Sequence, residues 1–277
     1  KLANRMAEVG NISPVISVEG FQKETDERRG SGVFKKVLNA MQHLRHAGVP
    51  FGISTVPTSK NWRTIISEAF VDFFFEEQGA VYGWLFQYMP VGRDQSPELM
   101  PSPEDRLEMY ERTQRFVKEK EIFLVDFWNN APSSNGCISA GRPGGYFYID
   151  WNADVMPCVF IPYTTCNMYE IYKQGGTIND ALNCDFFKKI REWQNDYSYT
   201  QPACCTGNLF APCPMRDHHD FIRDAIFATD AQPINDDAAK ALKDAAYKEA
   251  MLSYDEQLAA KSEPLWDKRY KKPCICP

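Results

Sequence analysis

The sequence predicts an α/β protein built on a parallel sheet, followed by a small cysteine-rich α+β region and a C-terminal helix. Three observations carry that prediction. From Asn11 to Gly92 short apolar runs alternate with amphipathic helical stretches, the signature of βα units. The apolar runs end on small hydroxyls, carboxylates and glycine. Beyond Asn129 the texture changes to Gly, Pro, Ser, Asn and Cys, which places a boundary between Asn129 and Asn135.

The elements follow in order. Lys1 to Gly10 reads as the last turns of a helix closed by a glycine, so the chain reads as beginning inside a domain, as the carboxyl part of a longer protein would. Pro14 to Val18 is the first strand. Val33, Phe34, Val37, Leu38, Met41 and Leu44 recur at helical spacing up to Gly48, and Phe51 to Val56 is the second strand. Ser59 or Asn61 caps a helix running to about Gln78, whose aromatic stretch Phe70 to Phe75 must lie against the sheet. Val81 to Met89 is the third strand. Ser102-Pro103-Glu104-Asp105 is a helix start, with a capping hydroxyl, a first-turn proline and acids at the positive end of the dipole. That helix runs to about Glu119, and Ile122 to Asp126 is the fourth strand. Tyr146 to Ile149 and Val155 to Phe160 form a hairpin turning at Trp151 to Asp154. Ile178 to Leu182, Phe186 to Gln194, Asp217 to Ala228 and Asp236 to Lys261 read as helices.

Composition narrows the function. A net charge of −6 in 277 residues, with Lys and Arg scattered among acids, disfavours a polyanion-binding role. No apolar run approaches the roughly 20 residues that cross a bilayer, and no signal peptide opens the chain, so a cytoplasmic protein is expected.

Nine cysteines in such a setting point to metal rather than to disulfides. Cys137, Cys158 and Cys213, with Cys204 or Cys205, supply the four thiolates of a cubane cluster or a structural zinc. Their spacing is too irregular for a common zinc finger. Pro157 precedes Cys158, while Pro212 and Pro214 bracket Cys213; proline removes backbone donors and stiffens such loops. Cys166 and Cys184 read as ordinary buried thiols. Cys274 and Cys276 lie where chains fray, and ligation there costs ordering entropy. His218 and His219 read as first-turn residues of a helix capped by Asp217. Arg142, Asp150 and Asp126, beside strand ends, read as solvated.

In parallel βα architectures ligands bind at the carboxyl edge of the strands. Ser17-Val18-Glu19-Gly20, Ser54-Thr55 and Tyr88 to Gly92 would together form such a rim.

These residues carry a family resemblance. Ile16 to Gly20, then Thr25 to Phe34, Gly52 to Thr55, Asn61 and the Tyr88 to Gly92 strand end resemble the distal half of radical S-adenosylmethionine (radical SAM) enzymes. Gly136-Cys137, Gly145 to Asp150, Pro157 to Phe160 and Pro212-Cys213-Pro214 are similar to the auxiliary-cluster domain called SPASM. The resemblance implies a partial (β/α)6 barrel over 1–130, a SPASM-like iron-sulfur domain over 131–230 and a helical tail over 231–277. It implies an AdoMet site in which Ser17 and Arg29 face the carboxylate or ribose, Ser54 and Asn61 the ribose side, and Met89 or Val91 the adenine, with Glu19 in the same set. It also implies one auxiliary [4Fe-4S] cluster, a reducing electron donor and a peptide or protein substrate. The family's Cys-x3-Cys-x2-Cys segment is missing, because no cysteine precedes Cys137. The resemblance therefore implies a fragment, inactive alone, of an enzyme that forms a 5′-deoxyadenosyl radical. The competing readings are a zinc-stabilised binding module and a metal-free domain with buried thiols.

Overall fold

A computed structural model describes residues 1–271; Cys274 and Cys276 lie outside the described residues. The chain divides into two compact units. The first comprises Lys1–Tyr88 and Glu98–Asn129, the second Met89–Pro97 and the chain from Asn130 onward. No helix among the described residues is long and apolar enough to cross a membrane.

The first unit is built on four parallel strands in the order β1-β2-β3-β4: Val15–Ser17, Gly52–Thr55, Tyr82–Leu85 and Phe123–Asp126. Register sets Ser17 beside Ser54 and Ser54 beside Trp84, so both serines share one face. The other face presents Val18, Ile53 and Leu85 to the core with Met41, Phe70 and Phe74, all at most 1% exposed. Side chains alternate across a strand, and this alternation separates a core face from a site face. Close packing leaves no room at Gly52, where a Cβ would stand 2.2 Å from the Tyr82 ring. Strand β1 has no partner on its outer side among the described residues, and Val15 on it is exposed.

The amphipathic helix Val33–His46 and the capped helix Pro103–Glu119 form where the sequence places them; Ser102 accepts the Asp105 N–H at 3.1 Å. The stretch after Asn61 does not form one helix. It breaks into Trp62–Ile65, Glu68–Val71 and a π-helical turn Asp72–Glu77. Ser67 causes the break by donating to the Thr64 carbonyl at 2.8 Å and accepting the Phe70 N–H as a new cap. The aromatic run still packs inward, with Phe70 and Phe74 ring centroids 4.6 Å apart.

The second unit carries short strands and many helices. Strands β5 (Tyr148–Ile149) and β6 (Asp154–Met156) form the expected antiparallel hairpin, shorter than its sequence pattern. Strands β7 (Tyr163–Thr164), β8 (Cys166–Asn167) and β9 (Gln232–Pro233) were not legible; β8 joins β6 and β9 pairs with β7. Ile178–Leu182 and Asp185–Gln194 are helical as expected. The long C-terminal helix is two: Asp236–Lys243, then Ala245–Arg269, divided where Asp244 accepts the N–H groups of Ala246 and Tyr247. Asp217 does not cap a helix. It is buried in an ion pair with Arg216 at 2.8 Å, and the helix His219–Ala228 starts after His218.

Candidate functional sites

At the carboxyl edge of the sheet, Glu19 is wholly buried and organises the rim. Its Oε1 accepts from Arg29 Nε at 3.0 Å and NH2 at 2.5 Å, with Arg28 Nε 3.6 Å away. Its Oε2 accepts the Val56 N–H at 3.2 Å. Asn61 stands at the N-cap of the helix Trp62–Ile65, but its side chain makes no capping bond: its Nδ2 donates to the carbonyls of Glu19 and Val56, and its Oδ1 accepts from Thr58. Glu19, Arg29 and Asn61 are thus brought together by bonds to one another and to backbone, which fixes the loops after β1 and β2. A buried carboxylate is tolerable only with such charged and N–H partners.

Two cavities lie in the first unit. One of about 460 Å³ is lined by Val15, Ser17, Ser54, Trp84, Phe86 and Phe127 on the site face of the sheet. Another of about 570 Å³ lies at the edge, with Arg28, Thr58, Asn61 and Tyr88 among its walls. The first is an aromatic floor with two hydroxyls, the second a charged mouth. Arg28 was not among the expected site residues, because adjacent arginines on a polar helix give no sign of which one faces a cavity. Met89, buried, and Val91, whose N–H bonds the Met89 carbonyl at 2.8 Å, belong to the second unit. Asp126, expected to be solvated, is buried and accepts from Gln87, Trp128 and Asn129.

In the second unit three thiols from separate loops converge. Cys158 and Cys213 are each 8% exposed and Cys137 is half-buried. Tyr146 Oη lies 2.9 Å from Cys158 Sγ, and the Phe160 N–H donates to the same sulfur at 3.4 Å. Cys137 donates to Ser139 Oγ at 3.1 Å, and Gln194 Nε2 donates to that oxygen too. Burial is the main cause that pushes the Cys158 thiol up to about 12, and Cys137 adds to it. Burial likewise raises Cys213, with Asp217 and then Cys137 and Cys158 contributing. Tyr146 is raised by burial and by all three thiols. Thiols that desolvate and repel one another stay protonated until a cation takes them, and a coordinating metal deprotonates a thiol outright.

Among the described residues no three His, Cys, Asp or Glu side chains close on a single ion. Zinc with bonds of about 2.3 Å needs its sulfurs about 3.8 Å apart; a four-iron cluster holds its thiolates wider apart. Cys204, expected as a candidate fourth ligand, is instead taken up in a disulfide, and its neighbour Cys205 is free and exposed, the two sulfurs lying 3.7 Å apart. Arg142 is buried beside Cys137 rather than solvated. His218 and His219 are committed to carbonyls of Ala211 and Met215.

Cys166 and Cys184 are half-buried rather than buried. The neighbouring Cys166 thiol is the main influence lowering Cys184; Thr165 and the N–H groups of Phe187 and Phe186 add to it, against burial. The same contact raises Cys166. Helix N-termini favour thiolates. In the native protein at pH 7 Cys184 is therefore expected to alkylate at least about tenfold faster than Cys166, and C166A to slow it; equal rates by peptide mass spectrometry would refute this.

No protein-family model matches the sequence. An AdoMet-dependent heme synthase from Methanosarcina barkeri (strain Fusaro / DSM 804) is 28% identical over 213 residues, 68% of this chain and 58% of the relative. The chain thus spans less than two thirds of that relative's length. Among solved structures, native anSMEcpe with bound AdoMet and the Cp18Cys peptide aligns with a TM-score of 0.53 and 13% identity, covering 96% of this chain and 72% of that one. The fold is that of the radical SAM enzymes. Streptococcus suis SuiB bound to its precursor peptide SuiA aligns with a TM-score of 0.53 and 16% identity, over 76% of this chain and 50% of SuiB. In sequence the chain is similar to that AdoMet-dependent heme synthase, and in fold it is similar to these two structures. The four parallel strands correspond to the expected partial barrel.

Proposed function

We propose that this chain is part of a radical SAM enzyme acting on a peptide or protein, and that it holds an auxiliary [4Fe-4S] cluster through Cys137, Cys158 and Cys213, with Cys205 as the remaining free candidate for a fourth thiolate. The observation that carries this reading is that thiols from three separate loops act on Tyr146, Cys158 by direct contact and Cys137 and Cys213 electrostatically. The donor set fits an iron-sulfur group: Cys158 and Cys213 are shielded from water, two flanking prolines keep the Cys213 loop stiff, and Tyr146 and the Phe160 N–H are placed to donate to the Cys158 sulfur. When bound, AdoMet reduced by the family's other cluster supplies a 5′-deoxyadenosyl radical that abstracts a substrate hydrogen. Ser17 and Ser54 would present hydroxyls to AdoMet. Glu19, Arg29 and Asn61 would hold the rim in shape around it. A reducing protein would supply electrons. The peptides held by SuiB and anSMEcpe favour a peptide substrate.

Anaerobic reconstitution with iron and sulfide is expected to give brown protein with about four irons per chain. Folded protein that takes up no iron, or that binds one zinc and no iron, would overturn the reading. With AdoMet and dithionite, the 277-residue chain alone is expected to form no 5′-deoxyadenosine, since no thiols precede Cys137; detecting that product would show that reductive cleavage needs no such segment.

A further inference from the structure

The cysteine site holds a charged residue that nothing above employs. Arg142 lies in the loop between Cys137 and Tyr146 and is 4% exposed. Its Nη2 donates to the Ser134 carbonyl at 2.5 Å and reaches the Gly136 carbonyl at 3.5 Å. The Tyr199 ring covers its flat face, with the guanidinium carbon 4.1 Å from the ring centroid, and Tyr199 is itself anchored to the Pro143 carbonyl. Its Nε and Nη1 are buried and have no partner among the described residues. Burial works against the charge, and the ionisable neighbours that favour it are Cys137 and Tyr199.

A buried guanidinium without an anion is costly, because desolvation is not repaid by two carbonyls and a ring face. The loop that carries Cys137 nevertheless encloses one. An anionic group arriving at the thiols would supply the missing counter-charge and acceptors for the idle N–H groups. We propose that Arg142 is the cation facing the cysteine-held cluster, and that it raises the cluster's reduction potential by stabilising the extra negative charge of the reduced state. This rests on the auxiliary-cluster reading. Arg142 is a positioning and tuning residue, and it ligates nothing.

The test uses the full chain as wild type, R142Q, R142M and R142K, each reconstituted anaerobically with iron and sulfide. Iron content is measured first, then the midpoint potential by redox titration followed by electron paramagnetic resonance. R142Q is expected to retain iron and to shift the reduction equilibrium at least about tenfold toward the oxidised cluster, about 59 mV for one electron; R142K is expected to recover most of the shift. Thermal melts give a second readout: R142M should stabilise the metal-free protein and destabilise the loaded one. An unchanged midpoint in iron-loaded R142Q, or equal destabilisation of both forms by R142M, overturns the role of Arg142 while the cluster stands. Wild-type protein that takes up no iron overturns the cluster reading itself, and this inference with it.

Discussion

Replacing Cys158 and Cys213 together with serine is expected to lower bound iron from about four to below about one per chain after reconstitution. Both sulfurs are nearly out of reach of water, and burial with mutual repulsion keeps Cys158 protonated up to about 12 without metal. In the metal-free protein they are therefore neutral packed groups. Serine is close in shape, and its oxygen can still bond Tyr146 in place of the sulfur. The double variant should fold with an unchanged far-ultraviolet spectrum, so the lost iron would report lost ligands. The pair C166S/C184S is the control and should retain its iron. Uptake should also weaken as pH falls, because each thiolate that binds must release its proton. Undiminished iron in C158S/C213S, or equal loss in the control, would remove these sulfurs from the ligand set.

The fold of the first unit was legible because its strands are short apolar runs bounded by Gly and Pro, and because Ser102-Pro103-Glu104-Asp105 spells a helix start that the backbone obeys. What failed was local competition. Ser67 and Asp244 each hydrogen-bond nearby backbone groups and restart a helix inside a continuous helical pattern. Strands of two residues such as Cys166–Asn167 carry no periodicity to read. At the sites, residue type was visible and environment was not. Cysteines beside prolines stand out in a sequence, whereas the burial of Arg142 and Asp126 depends on segments far along the chain. Arg29 and Glu19 were each read as facing a ligand, yet each is the other's partner. The contact of Cys166 with Cys184 is tertiary and left no sequence mark.

Stability of the second unit is expected to fall as pH rises from about 4 to about 8, and Asp255→Asn should flatten that slope. Asp255 lies on the helix Ala245–Arg269 and accepts the His219 N–H at 2.6 Å through Oδ2, while its Oδ1 is buried without a partner. Burial is the main cause that pushes its carboxyl up to about 8; Asp217 and Asp220 add to the rise, and Arg216 and the His219 N–H oppose it. The folded chain then keeps a proton that the unfolded chain sheds near pH 4. Stability from this group is complete below that point and is lost as pH climbs through about 8. One pKa unit is worth about 1.4 kcal/mol, but water reaching a partly exposed carboxyl discounts it, so a loss on the order of 2 kcal/mol across the window is expected. Burial holds His218 and His219 below their usual range, which gives the opposite slope at lower pH. Asparagine keeps the acceptor for the His219 N–H and cannot ionise, so it removes the first slope and leaves the second. Urea melts at pH 5 and pH 8 decide it: D255N should match wild type at pH 5 and exceed it at pH 8, and parallel curves for the two proteins would show that Asp255 ionises as an ordinary surface carboxylate.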